Sequence, residues 1–198
     1  MSTATGRGGA ASSLLGFLPE DSIEFLDGQI LGRGAQGVVI AARWTKPDSS
    51  VVDVAVKKLA DGASEREIEQ FQKEFAIHWR ASQRCPRACT LFGCVIRDGA
   101  LHLVMERYAR SLYEFLDANR DPLDESKRAK LPPQLVAMYA HQLAVGLSQL
   151  HAEKIASADL KPGNCLMTAD GELAIADFGL AVMVERSILR ASTASRAG

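Results

Sequence analysis

Several features that would place a protein in a class at first sight are missing from this sequence. Its apolar runs all fall short of the roughly 18 residues that a membrane-spanning helix needs. The formal net charge is -1, from 23 basic and 24 acidic residues. This balance gives no electrostatic reason to expect a nucleic acid or an anionic membrane surface as the main partner. The sequence therefore predicts neither a membrane span nor a nucleic-acid-binding protein.

Cysteine is scarce, and its pattern excludes the usual metal sites. Cys85, Cys89, Cys94 and Cys165 fit no C-x-x-C zinc pattern, and no histidine sits at metal-ligand spacing beside them. Reduced thiols in a cytoplasmic protein are the simplest interpretation. The N-terminus also lacks the apolar core of a secretory signal. Residues 1–20 are predicted to form a flexible leader, with an organelle transit peptide as the alternative.

The first half of the chain has the pattern of a small sheet. Hydrophobic content is 47% and charged content 24%, which suits one ordinary domain or two small lobes. β-branched and alternating apolar residues surround a glycine cluster in residues 23–44, which predicts a hairpin. Residues 51–59 form a predicted third strand. Residues 90–97 and 100–108 form two more, joined by the turn signal Asp98-Gly99.

A helix is predicted from Ser64 to about Ala81. Ser64 and Glu67 have the spacing of a capping box, in which each side chain satisfies a backbone N–H of the other residue. The apolar residues that recur at helical spacing, and so predict a buried face, are Ile68, Phe71, Phe75 and Trp79.

The second half of the chain is predicted to be mainly helical. A short helix over residues 111–118 is followed by a polar connection and by a long helix that opens at Pro132-Pro133 and ends near His151. The segment ELAIADFGLAV, residues 172–182, is predicted to form a hairpin-like region. We place the boundary between the two halves near residues 107–110.

The stretch GRGAQGVV, residues 32–39, is a G-x-G-x-x-G-x-V motif. Its glycines let backbone N–H groups approach phosphates without a Cβ in the way. A dinucleotide-binding βαβ unit would need a helix directly after it and an acidic residue about 20 residues later. Here the β-rich run VVIAARW follows. This context favours a loop folded over ATP between two strands.

The stretch VAVK places Lys57 at the end of the third predicted strand, where a lysine can reach phosphates. The following helix must then supply a carboxylate to orient the ammonium group. Glu74 and Glu67 both lie at the edge of its apolar stripe. We prefer Glu74, because Glu67 already has a capping role.

The stretch IASADLKPGNCLM, residues 155–167, contains Asp159 and Asn164 as D-x-x-x-x-N. In-line phosphoryl transfer needs a carboxylate that orients the substrate hydroxyl and accepts its proton. It also needs an amide oxygen for a metal ion. Lys161 can neutralise charge on the transferred group, and Asp177, which opens the triplet Asp-Phe-Gly, is a hard oxygen ligand suited to Mg²⁺.

With these motifs in this order, the chain resembles a eukaryotic-type protein kinase domain from about residue 23 to its end. The form DLKPGN is similar to the serine/threonine subtype. The resemblance implies ATP and Mg²⁺ as cofactors and a protein substrate with a serine or threonine hydroxyl. It also implies an α+β fold of two lobes. Residues 21–108 would form a five-stranded antiparallel small lobe with one helix, and residues 109–198 an incomplete helical large lobe.

The resemblance further implies which residues carry the reaction. Lys57, Glu74, Asp159 and Lys161 match the catalytic positions, and Asn164 and Asp177 match the metal ligands. Met105 falls at the family's gatekeeper position, Glu106 to Tyr108 at the hinge, and Val39, Ala55 and Leu166 at the apolar lining of the adenine site. The predicted nucleotide-binding set is Leu31, Gly32, Arg33, Gly34, Ala35, Gln36, Gly37, Val39, Ala55, Lys57, Met105, Glu106, Tyr108 and Leu166.

The sequence departs from the family pattern at Ser157 and Ala158, where the family has His-Arg. The family's histidine packs under the phenylalanine of Asp-Phe-Gly. Ser157 is smaller, so we expect the inward arrangement of Phe178 to lose about 1 to 3 kcal/mol. The family's arginine pairs with a phosphorylated activation loop, which Ala158 cannot do.

A second departure is that the sequence stops at Gly198, 21 residues after Asp177, without the family's Ala-Pro-Glu motif. We therefore expect a kinase domain truncated within its activation loop. The alternative hypothesis is a pseudokinase or a regulatory module that binds nucleotide or a partner without catalysis.

Overall fold

A computed structural model gives the fold and describes residues 16–34, 37–59, 62–120 and 129–184. Two compact units are present. The first contains the described residues up to Phe75 together with Cys89–Arg107, and the second contains Ala76–Ala88 together with the described residues from Tyr108 onward. The last of the three changes of unit along the chain falls after Arg107. The assignment of Ala76–Ala88 to the second unit was not predicted.

The first unit is built on one antiparallel sheet, as predicted. Its spatial order is β1-β2-β3-β5-β4, so that β3 lies at the centre and β4 and β1 form the edges. The strands are β1 (Ile23–Gly34), β2 (Gly37–Thr45), β3 (Val51–Lys58), β4 (Leu91–Arg97) and β5 (Ala100–Glu106).

The predicted turn between β4 and β5 is present. Asp98 and Gly99 have φ values of 51° and 75°, and Arg97 pairs directly with Ala100. Two consecutive residues with positive φ are the signature of the two-residue turn that matches the twist of a hairpin. Aspartate and glycine tolerate this backbone conformation better than other residues.

Side-chain alternation along β3 gives the sheet two different faces. Val54 and Val56 are fully buried and join the apolar cluster of the first unit. Ala55 and Lys57 point to the opposite face, because successive side chains of a strand alternate. The cluster is completed by residues of the other four strands, namely Ile23, Ile40, Ala42, Val95 and Val104.

Helix α1 (Glu65–Arg84) begins where its capping box predicts. The Ser64 N–H donates to the Glu67 carboxylate at 2.7 Å, and the Glu67 N–H donates to the Ser64 hydroxyl at 3.4 Å. The predicted apolar stripe is wrong at its first member, because Ile68 is 43% exposed. The buried positions of the helix include the polar residues Glu74 and His78.

The predicted leader is too long at its C-terminal end. The Cys94 N–H of β4 donates to the Gly16 carbonyl at 2.7 Å, and the Leu18 N–H donates to the Cys94 carbonyl at 2.8 Å. These bonds add a short parallel segment to the edge of the sheet. Residues 1–15 of the predicted leader lie outside the described residues.

The second unit combines helices with small strand pairs. Its helices are α2 (Leu112–Ala118), which begins at a Ser111–Glu114 capping box, and α3 (Pro133–Ala152). β6 (Arg110–Ser111), β8 (Cys165–Met167) and β9 (Leu173–Ile175) form one sheet. β7 (Ile155–Ala156) pairs with β10 (Val182–Met183). The predicted hairpin within residues 172–182 is therefore wrong, because β9 pairs with β8 and β10 pairs with β7.

The four cysteines are free and buried. Burial raises the pKa of the Cys94 and Cys165 thiols to about 11, so both remain protonated near neutral pH. The described residues contain no group of three or more His, Cys, Asp and Glu side chains that could hold a metal ion. None of the helices in the described ranges has the length and apolar character needed to cross a bilayer.

A buried amide side chain joins α3 to β9. The Gln142 Oε1 atom accepts hydrogen bonds from the Leu173 N–H at 2.7 Å and from the Arg87 Nη1 atom at 3.0 Å. Arg87 also donates to Glu172 at 3.2 Å and to the Leu173 carbonyl at 3.3 Å. Gln142 is only 9% exposed and Leu173 only 3%, so water cannot easily replace the hydrogen bond between these two residues.

We expect the substitution Gln142→Leu to destabilise the second unit by about 1 to 3 kcal/mol, because it leaves the buried Leu173 N–H without its acceptor. Equilibrium unfolding in urea measures the change. Gln134 lies on the exposed surface of the same helix, so Gln134→Leu is the matched control and should stay within about 0.5 kcal/mol of the parent chain. Equal loss of stability in both variants would contradict this account of the Gln142 hydrogen bonds.

Candidate active site

The glycine-rich stretch forms the ends of β1 and β2. Gly34 pairs with Gly37 across the hairpin, and the predicted site residues Ala35 and Gln36 lie outside the described residues. A Cβ on Gly37, which has a φ of 144°, would stand 2.0 Å from the Lys58 carbonyl oxygen, so no side chain fits there.

The surroundings of Gly32 and Gly34 are open, in contrast to the crowded surroundings of Gly37. Among the described residues, no atom lies within 4 Å of the position that a Cβ would take on either glycine. The absence of a side chain therefore leaves this backbone open to an incoming group. Exposed backbone of this kind suits the close approach of phosphate oxygens, so the residues present fit a triphosphate.

Lys57 and Glu74 form a buried ion pair. The Lys57 Nζ atom lies 2.5 Å from the Glu74 Oε1 atom, and the two side chains are 11% and 3% exposed. A single buried charge is strongly unfavourable, so each group requires its partner. Glu67, the other candidate, is exposed and caps α1. The hydrogen bond from Ser64 lowers the pKa of the Glu67 carboxyl.

The predicted adenine-lining residues of the first unit share the face that carries Lys57. Val39 is directly opposite Lys57, and Ala55 is directly opposite Met105. Cross-strand partners lie on one face of a sheet, and so do residues two apart along a strand. Arg33 instead pairs with Val38, so its side chain lies on the opposite face.

The other predicted nucleotide-binding residues are distributed between the two units. Leu31 is 42% exposed on β1, and Glu106 ends β5 with its N–H donating to the Thr90 carbonyl at 2.9 Å. Tyr108 and Leu166 belong to the second unit, where Leu166 lies on β8 opposite Ala174.

The structure brings Asp159, Lys161 and Asn164 together in the second unit. The Lys161 Nζ atom lies 2.5 Å from the Asp159 Oδ2 atom. The Asn164 Nδ2 atom donates to the same carboxylate oxygen at 3.0 Å and to the Asp159 carbonyl at 2.9 Å. Because its nitrogen makes both bonds, the Asn164 amide oxygen is the atom suited to a hard cation.

Electrostatics keep this cluster charged. The hydrogen bond from Lys161, with a smaller contribution from Asn164, holds the pKa of the Asp159 carboxyl below its usual value. Asp159 in turn raises the pKa of the Lys161 ammonium, and the charge of Asp177 acts in the same direction. Asp159 is therefore a carboxylate and Lys161 an ammonium at neutral pH.

Asp177 adopts an unusual backbone conformation. Its φ is 59°, and its Oδ1 atom accepts a hydrogen bond from the Gly179 N–H at 3.4 Å. A non-glycine residue with positive φ is uncommon and is often found where a side chain is aimed for function. Asn164 and Asp177 supply only an amide and a carboxylate oxygen. This donor set suits Mg²⁺, which commonly completes its shell with phosphate oxygens and water.

The residue that sequence reasoning missed is His78. Its ring stacks on Phe178, with centroids 4.8 Å apart and an angle of 30° between the planes, and both residues are 1% exposed. The available signal was its spacing, because His78 lies seven residues after Phe71 on the buried side of α1. Ser157 is half-buried and Ala158 is exposed. The expected loss of stability at Phe178 stays a prediction.

The chain is similar in sequence to known protein kinases. The family described as protein tyrosine and serine/threonine kinase matches residues 26–197. A probable serine/threonine-protein kinase of Dictyostelium discoideum is 31% identical over 179 residues, which cover 90% of this chain and 12% of that protein. Mitogen-activated protein kinase kinase 1c of Physcomitrium patens is 27% identical over 169 residues, which cover 83% of this chain and 45% of that protein.

Fibroblast growth factor receptor 1 of Xenopus laevis is 32% identical over 166 residues, which cover 78% of this chain and 20% of the receptor. The chain spans less than half the length of each of these three relatives. The family match covers most of the chain, including the glycine-rich stretch, Lys57, Glu74, Asp159, Asn164 and Asp177. The chain therefore belongs to the protein tyrosine and serine/threonine kinase family.

Proposed function

We propose that this chain binds ATP with Mg²⁺ and takes part in transfer of the γ-phosphoryl group to serine or threonine hydroxyls of a protein. The observation that carries the proposal is the cluster around Asp159, in which a carboxylate, an ammonium and an amide are held within hydrogen-bond distance of one another. These three groups are what an in-line phosphoryl transfer requires of a protein.

In the first unit, the Lys57 ammonium would contact the phosphate oxygens of ATP and offset their negative charge. Glu74 fixes the ammonium in one orientation, so little reorganisation is needed when a phosphate oxygen approaches. The open backbone at Gly32 and Gly34 would donate N–H groups, while Val39, Ala55 and Met105 would supply apolar contacts for the adenine.

In the second unit, Asp159 would accept a hydrogen bond from the substrate hydroxyl and take its proton. Lys161 would move from Asp159 to the transferred group, since its side chain is 55% exposed. This movement would remove the contact that lowers the Asp159 pKa and so make the carboxylate a better base. Asn164 and Asp177 would hold Mg²⁺, which supplies positive charge to the phosphate oxygens.

Specificity for serine and threonine rests on Lys161. The residue lies two positions after Asp159, as in the serine/threonine subtype that DLKPGN resembles, and the relative from Dictyostelium carries that designation in its name. A cytoplasmic location is favoured by the four buried free thiols.

Phosphoryl transfer tests the proposal directly. The chain is incubated with γ-labelled ATP, Mg²⁺ and serine-, threonine- and tyrosine-containing peptides. Transfer to serine or threonine should fall by about 10² to 10⁴-fold in Asp159→Asn, because the variant removes the proton acceptor. Mg²⁺-ATP binding without any transfer above this variant would favour the non-catalytic alternative.

The ion pair offers a test that separates chemistry from stability. Lys57→Met should reduce transfer by about 10²-fold or more and also lower stability, because the buried Glu74 carboxylate loses the ammonium group that it contacts. Adding Glu74→Leu should recover stability without recovering transfer. Lys73→Met removes an exposed lysine of α1 and serves as the control. Recovery of transfer in the double variant would refute the role of Lys57.

His78 should act as a positioning residue through Phe178. Removing its ring in His78→Ala leaves a gap beside Phe178, so Asp177 should be held less firmly and the Mg²⁺ concentration for half-maximal transfer should rise severalfold. His78→Phe, which keeps a ring for stacking, should restore the Mg²⁺ dependence. His141→Ala, at an exposed position of α3, is the control. A loss of stability with unchanged Mg²⁺ dependence would mean that His78 is only structural.

A further inference from the structure

A pocket of about 510 Å³ opens on the face of the sheet that does not carry Lys57. Its location follows from the strand register. Val38 is directly opposite both Arg33 and Lys58, and Lys58 is directly opposite His102. Directly paired residues share a face, so these four side chains form one row across β1, β2, β3 and β5. Lys57, the neighbour of Lys58, points the other way.

Arg97 enters the pocket from β4 in a fixed orientation. Its Nη1 and Nη2 atoms donate to the two carboxylate oxygens of Asp27 at 3.1 and 2.9 Å. Its guanidinium also lies 4.2 Å from the centre of the Phe25 ring. This pairing uses one N–H on each terminal nitrogen and leaves a second N–H on each. The guanidinium is therefore held in place before any ligand arrives.

The charges around the pocket favour an anion. Arg33, Lys58 and Arg97 contribute three positive charges, against two negative charges from Asp27 and Asp98. Asp27 is engaged by Arg97, whose hydrogen bond holds the pKa of that carboxyl below its usual value. The Asp98 carboxylate lies 3.7 Å from the Arg97 Nε atom, but its side chain is 91% exposed, so water screens much of its charge.

Apolar and neutral side chains complete the lining of the pocket. Its apolar members are Ile30, Val38 and Ile40. His102 is 6% exposed, and its Nδ1 atom donates to the Ala100 carbonyl at 3.0 Å. Burial lowers the pKa of this imidazole, so the ring adds no charge near neutral pH. A ligand that fits should combine an anionic head with a small apolar body.

We propose that this pocket binds a small phosphate monoester. The phosphate would contact the Lys58 ammonium and the outward N–H groups of Arg97, with Arg33 at the rim, and the apolar body would rest on Ile30, Val38 and Ile40. The pocket volume lies in the range of small-molecule sites. Lys and Arg groups are the usual partners of phosphate oxygens. This site is separate from the proposed ATP site and stands whether or not the chain transfers phosphate.

Titration of the ¹⁵N-labelled chain with phenyl phosphate, followed by NMR, tests the proposal. The largest shifts should fall on the amides of Lys58, Asp98 and His102. Lys58→Gln should weaken binding by about tenfold, as expected for the loss of one charge-assisted contact. Asp98→Asn should strengthen binding severalfold, because it removes a competing negative charge and asparagine tolerates the positive φ of this turn. Lys46→Gln, just after the end of β2, is the control.

Three further probes distinguish the sources of binding. Phenol should not bind, which would show that the phosphate is required. Inorganic phosphate should bind more weakly than phenyl phosphate, which would show that the apolar side chains of the pocket contribute. If a phosphothreonine peptide binds more tightly than phenyl phosphate, the ligand of this pocket is a phosphorylated protein segment and not a small molecule. Shifts centred on Val39 and Lys57, or an affinity unchanged in both Lys58→Gln and Asp98→Asn, would overturn the proposal.

Discussion

The ion pair between Lys57 and Glu74 is the interaction on which the first unit depends. Both side chains are almost fully buried, and each stabilises the charge of the other where water has little access. This interaction fixes the end of β3 against the first half of α1, although 17 residues separate the two partners. Because successive side chains of a strand alternate, Lys58 then lies on the opposite face of the sheet.

The second unit also holds charged and polar side chains together, but these side chains are much closer along the chain. Asp159, Lys161 and Asn164 lie within six residues, and the tight 3₁₀ turn over Pro162–Asn164 lets the amide reach back to Asp159. Asp177 is positioned differently, by a positive φ and by the burial of Phe178 against His78. A local turn therefore positions Asp159 and Asn164, whereas apolar packing of the neighbouring Phe178 positions Asp177.

Patterns that depend on near neighbours predicted the fold well. The capping box at Ser64, the turn at Asp98-Gly99 and the five strands all follow from local chemistry, and each is present. The predictions failed where burial depends on distant partners. Ile68 has helical spacing but is exposed, whereas Glu74 and His78 are polar but buried, because Lys57 and Phe178 are what they contact.

The sequence by itself determined the order of the motifs, the family and the type of each long element, because these depend on residue identity and spacing. The tertiary structure decided which carboxylate meets Lys57, which ring stacks on Phe178 and which short strands pair after residue 155. It also decided that Arg33, Lys58 and Arg97 line one pocket. Register and packing bring these residues together from separate strands, and no local pattern specifies such contacts.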